Sequence, residues 1–141
     1  MSLALASATA VTFVWLGMVL GISFLETPLK FRAPDVTVRI GLGIGRLVFR
    51  ALNTVEVFLA AALIITTVLG HPAGRIATSA GCVIVLLAVQ VAVVRPRLNR
   101  RSDRILAGGE APRSHAHHAY VVLETAKLIS LAVTGVLILV S

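Results

Sequence analysis

Three glutamates and one glutamine are set into otherwise apolar stretches of this chain: Glu26, Glu56, Gln90 and Glu124. A carboxylate inside an apolar helix is costly to bury, so it turns to a partner, a ligand or a water-filled cavity and is a functional candidate. Groups of this kind bind cations, relay protons or serve as general bases. The residues able to answer them stand close by: Arg50 and Asn53 before Glu56, and Tyr120 and Lys127 on either side of Glu124. At about 100° per residue, His117, Tyr120, Glu124, Lys127 and Thr134 share one helical face, as do Arg46, Arg50, Asn53 and Glu56, and Ser23, Glu26 and Lys30. Each stripe is expected to turn inward. The result would be one polar layer of Glu26, Arg50, Asn53, Glu56, Gln90, Tyr120, Glu124 and Lys127.

That layer has two uses. It is a ligand or ion site, or it is a closed set of ion pairs: Glu124 with Lys127, Glu56 with Arg50 or Arg46, Glu26 with Lys30. His117 and His118, at the mouth of the last apolar stretch, add a possible metal site with Glu124, since imidazole and carboxylate together suit a transition metal. The run Ser114-His115-Ala116-His117-His118 also fits a solvated or headgroup-level cluster. There is no CxxC and no HExxH, and Cys82, the single cysteine, reads as a small buried hydrophobe.

The elements that carry these residues are long apolar helices. Hydrophobic residues make up 57% of the 141, charged residues 13%, and the mean hydropathy is +0.96. Soluble domains carry roughly twice that share of charge. Four segments reach the roughly 20 residues needed to cross a bilayer: 8–27, 51–70, 76–94 and 119–140. The expected fold is all-α, an integral membrane four-helix bundle forming a single domain. No basic residue precedes the first apolar run, so it reads as a retained helix rather than a secretory signal.

Charge sets the expected orientation. Lys30, Arg32, Arg39, Arg46 and Arg50 lie between the first and second segments. Arg95, Arg97, Arg100, Arg101, Arg104 and Arg113 lie between the third and fourth, whereas the second connection has only Arg75. The positive-inside rule then places both basic connections in the cytoplasm and both termini outside a bacterial inner membrane. The net charge of +7 is thus accounted for by topology and anionic headgroups; no aromatic residues are interleaved with it to stack nucleic-acid bases.

Along the chain, Gly17 and Gly21 form a GxxxG spacing suited to close helix contact. Pro28 is expected to end or kink the first helix near Thr27. Residues 30–40 read as an interfacial loop, Gly41, Gly43 and Gly45 as a flexible entry to the second helix, and 95–118 as a polar loop with a short helix near 98–106. No long repeat is expected. The one echo is Leu25-Glu26-Thr27 with Lys30 against Leu123-Glu124-Thr125 with Lys127.

Two resemblances follow from these residues. Arg50-Ala51-Leu52-Asn53-Thr54-Val55-Glu56 resembles the second-helix Arg-Ala-x-x-Asn-x-x-Glu pattern of the MAPEG family of four-helix, glutathione-linked membrane enzymes, with Arg50 and Asn53 three apart instead of four. That resemblance implies glutathione held by Arg50, Asn53 and Glu56 within a trimer. Phe24, Pro28, Phe31, Arg32 and His118 are similar to an arrangement in small four-span bacterial proteins akin to the copper-resistance D membrane domain, which implies the architecture alone.

Three functions fit. The first is transport or a channel for a cation or small solute, with carboxylates on the path. The second is a membrane-embedded enzyme acting on a lipophilic substrate at the cytoplasmic interface, with Glu56 or Glu124 as base or metal ligand, Tyr120 as proton donor and Arg50 or Lys127 holding an anion. The third is an accessory subunit of a larger membrane complex. Four short helices enclose little volume, so the partners expected are the lipid bilayer and further copies or subunits.

Overall fold

A computed structural model describes residues 1–109 and 115–141, the side chains of 115–117 excepted. The described residues are all-helical, and four helices are each long and apolar enough to cross a membrane. They are α1 (Leu3–Lys30), α2 (Val38–Gly70), α3 (Gly74–Leu106) and α4 (His115–Leu139). α1 packs on α2 and on α4, α3 packs on α4 and more lightly on α2, so the helices follow one another around an antiparallel bundle. One end carries the two termini and the short α2–α3 connection. The other, the basic end, carries the α1–α2 turn and the far end of α3.

An apolar core of Ala8, Trp15, Val19, Leu63, Ile76, Val83, Leu87, Leu131 and Ile138 fills the bundle. The outward faces are as apolar as the core: Leu47, Phe58, Ile65, Leu69, Val85, Val122 and Ile129 are all exposed. A surface of this kind has no gain in water and matches a lipid surround, the architecture of a multi-pass membrane protein. Cys82 belongs to that surface, exposed on α3 with its Sγ 3.6 Å from the Ser130 hydroxyl, and is not the buried hydrophobe expected.

Two helices are much longer than their apolar runs. α2 starts at Val38, with Thr37 capping it by accepting from the Ile40 amide, and its 33 residues reach about 50 Å. Its first three turns contain the glycines expected to be a loose entry. Two of them lie against the end of α1 and the residue after it: a side chain at Gly41 would collide with the Phe31 ring, and one at Gly45 would press the Lys30 ammonium, while Gly43 meets nothing. α3 likewise runs through Pro96 to Leu106, where Gly108, with φ +91°, lets the Gly109 amide return to the Arg104 carbonyl at 2.9 Å. The polar loop expected from residue 95 is therefore mostly helix, and the expected loop 30–40 shrinks to the turn 31–37.

Neither internal proline ends its helix. Pro28 follows a π-helical stretch, Leu20–Glu26, and Pro96 follows another, Gln90–Val94. In each the backbone bonds five residues back, Thr27 N–H to the Ile22 carbonyl and Arg95 N–H to the Gln90 carbonyl. The wider turn accommodates the residue that cannot donate.

These matched features expose a repeat. Pro28 and Pro96, Arg32 and Arg100, Asp35 and Asp103, Glu56 and Glu124, Leu63 and Leu131, and Thr66 and Thr134 each stand 68 positions apart. At the same shift, buried Ala8, Thr12, Trp15 and Val19 fall on buried Ile76, Ala80, Val83 and Leu87. At this spacing the two hairpins share a pattern along their membrane-spanning parts; it does not extend through the turn, where Arg32 and Asp35 lie after α1 while Arg100 and Asp103 lie within α3. The Leu-Glu-Thr echo has no counterpart in the structure: Glu26 is half-exposed and Glu124 buried.

Candidate functional site

The repeat brings its two glutamates face to face across the axis, with one lysine between them. Glu56, Glu124 and Lys127 are all buried. The Lys127 ammonium bonds the Glu56 Oε2 and lies 3.3 Å from the Glu124 Oε1. Trp15 on α1 donates its indole N–H to the same Glu56 oxygen at 2.8 Å. Glu124 takes the Ser23 hydroxyl on Oε1 at 3.1 Å and the Gln90 amide on Oε2 at 2.6 Å. Ser23 and Gln90 both come from the π-helical stretches, which rotate them onto the axis. Ion pairs this deep require nearly every charge to be answered by hydrogen bonds as well, and here the donors come from α1 (Trp15 and Ser23), α3 (Gln90) and α4 (Lys127).

Above this network, toward the basic end, is a cavity of about 590 Å³ between all four helices. Its apolar wall includes Phe24, Phe31, Leu42, Phe49 and Leu98; its polar wall includes Lys30, Arg95, Tyr120 and Glu124. Arg95 holds its guanidinium over the rings of Tyr120 and Phe49, 4.6 and 4.9 Å from their centroids, and these rings meet edge to face. Its Nε and Nη2, and the Tyr120 hydroxyl, are buried without a hydrogen-bond partner. So are the Glu56 Oε1 and the Gln90 Oε1 beneath. Most buried polar atoms are paired, so this collection calls for an explanation. A second groove, of about 620 Å³, lies between α2 and α3, lined by Arg46, Arg50, Asn53, Thr54, Asn99 and the other side of Arg95.

The expected layer divides accordingly. Glu56, Gln90, Glu124 and Lys127 meet in the interior, with Tyr120 above them. Arg50 is exposed and Asn53 only partly buried; both face the second groove, apart from Glu56. The inward face of α2 runs through Phe49, Leu52, Glu56, Ala60 and Leu63, so the charged stripe inferred for this helix was rotated outward. The glutathione set of Arg50, Asn53 and Glu56 is thus split between two places. Glu26 is half-exposed and pairs with Lys30 at 3.7 Å, outside the buried network. Of the expected ion pairs, Glu124 with Lys127 and Glu26 with Lys30 are present, while Glu56 takes Lys127 in place of Arg50 or Arg46. Arg46 pairs instead with Asp103 of α3.

Among the described residues no three of His, Cys, Asp or Glu gather as metal ligands. His118 is exposed, and the His117 side chain lies outside the described residues, so that part of the metal reading has no geometry to draw on. Trp15 and Arg95 were missed by sequence reasoning. Trp15, the one tryptophan, shares the 8, 12, 15, 19 face of α1, and a buried indole needs an acceptor; that was the available signal. Arg95 was absorbed into the orientation argument as one basic residue among many. Comparison with known proteins finds no matching family model, curated protein or solved structure.

Proposed function

We propose that this is a membrane-embedded binding protein that takes up a small lipophilic molecule through its basic end, as the loading step of solute transport. The open cavity lined by all four helices carries this reading. Its volume falls within the roughly 300–1,000 Å³ usual for small-molecule sites, and it has the usual make-up of an apolar wall with a few converging polar groups. The charge distribution supports a basic end in the cytoplasm and termini outside the inner membrane. The apolar core on the termini side of the ion-pair network, Ala8, Leu63, Ile76, Val83, Leu131 and Ile138, favours loading from one side over an open pore. A homo-oligomer or a larger membrane complex belongs to the same proposal: a side chain at Gly17 or Gly21 would meet nothing within 4 Å, leaving the GxxxG face open to another helix.

The test is binding of a neutral, single-chain fluorescent fatty ester to the protein in nanodiscs of neutral lipid. Saturable binding that is lost when Leu98→Trp fills the cavity is the expected result. Unsaturable partitioning, indifferent to Leu98→Trp, refutes the reading.

A further inference from the structure

We infer that the cavity's ligand is an anionic amphiphile, its carboxylate or phosphate head held by Arg95 and Tyr120 and its chain by the phenylalanine wall. This rests on the cavity being a binding site and adds the chemistry of what it takes. The two guanidinium nitrogens left without acceptors, Nε and Nη2, are the pair that together form one side of the Arg fork. That side presents two parallel N–H bonds to a single carboxylate or phosphate. The Tyr120 hydroxyl, also buried and unpartnered, stands on the ring over which the guanidinium rests. The two donor atoms of Arg95 thus lack an acceptor, and an anionic head supplies one acceptor group for both, with the Tyr120 hydroxyl, next to the Glu124 carboxylate, within the same wall.

The surrounding charges agree with that assignment. Lys30 also lines the cavity, its side chain 6% exposed and its ion pair to Glu26, the one it makes among the described residues, a long one at 3.7 Å. Glu124, the carboxylate in the wall, is already engaged on both oxygens by Lys127, Ser23 and Gln90, so its oxygens are not free to take a cation. A cation would meet Arg95 and Lys30 first and be repelled. A neutral ligand would leave the fork unanswered, at the cost that attends a buried unpaired donor. Phe24, Phe31 and Phe49 give the chain an apolar surface continuous with the head site.

The head has two sources, a membrane phospholipid or a free single-chain acid, and the experiment separates them. A fluorescent fatty acid and its methyl ester are titrated against the protein in nanodiscs of neutral lipid, then competed with dodecyl phosphate or with phosphatidic acid in the disc. Wild type is expected to prefer the acid over the ester by tenfold or more. Arg95→Gln should abolish the preference, Arg95→Lys should retain part of it, and Tyr120→Phe should lower it several-fold. Displacement by dodecyl phosphate alone identifies a free acid, and displacement by phosphatidic acid a lipid. If the ester still binds and Leu98→Trp still blocks it, but the acid preference is absent or survives Arg95→Lys and Tyr120→Phe unchanged, the anionic assignment is overturned and the binding site stands. If Leu98→Trp blocks neither probe, the site itself falls. Should Arg95→Gln not fold, the Lys and Phe variants decide.

Discussion

The first hairpin, α1–α2, and the second, α3–α4, share a frame and differ in chemistry. Both have a π-helical stretch before a proline and a buried glutamate in the following helix. Where the first has Leu59, Ile22, Leu52 and Thr27, the second has, 68 positions on, Lys127, Gln90, Tyr120 and Arg95. The first contributes Trp15 and Ser23 where the second has Val83 and Val91. Repetition alone would place two carboxylates opposite each other in an apolar bundle with nothing to balance them. The second hairpin supplies the one ammonium that both carboxylates share and the amide that bonds Glu124 and, above them, the guanidinium and phenol of the cavity wall. The difference teaches that the repeat builds the framework, while the departures from it build the site.

Making the hairpins alike should break the molecule. Lys127→Leu, which copies the first hairpin into the second, leaves Glu56 and Glu124 buried without their cation. A loss of about 3–5 kcal/mol is expected for removing one partner of a buried pair, read as a lowered melting temperature in mild detergent. Moving the cation to the matching position, Leu59→Lys with Lys127→Leu, should recover much of that loss, because position 59 is partly buried at the corresponding place against the core; no recovery would mean that the shared pattern relates the frames but not the site. Trp15→Phe removes the donor contributed by the first hairpin alone. A hydrogen bond to a charged group is worth about 1.5–3 kcal/mol, so the same melting experiment should show a smaller drop, and Gln90→Leu a comparable one from the other side. The smallest effect belongs to the Arg46–Asp103 pair that links the hairpins at the basic end. Its side chains are 39% and 59% exposed, so Arg46→Ala should cost no more than about 1 kcal/mol.

Much of the frame was legible in the residues. The apolar runs located four helices, and the isolated Glu56, Gln90, Glu124 and Lys127 marked positions that do meet in the interior. Helix ends were less legible, since α2 and α3 extend through glycine, proline and arginine, with Phe31 and Lys30 packed against Gly41 and Gly45 at the start of α2. The face of α2 was misjudged because Arg46, Arg50 and Glu56 were assumed to act together. A long arginine toward the basic end can turn outward to polar surroundings, while Glu56, further along the helix, is held in the interior by Lys127 and Trp15. The repeat escaped notice because its identities are scattered singly along the chain, and burial rather than residue type is what aligns Trp15 with Val83.

By itself, then, the sequence determined composition, the number of apolar helices and the presence of charges too costly to leave unanswered, because these follow from transfer energies that act residue by residue. Which charge answers which was decided only by the tertiary structure. Lys127 lies three residues from Glu124 and 71 from Glu56, and no local rule connects it to the second. That contact exists because four helices converge on an axis, where partners are chosen by depth and rotation and not by distance along the chain.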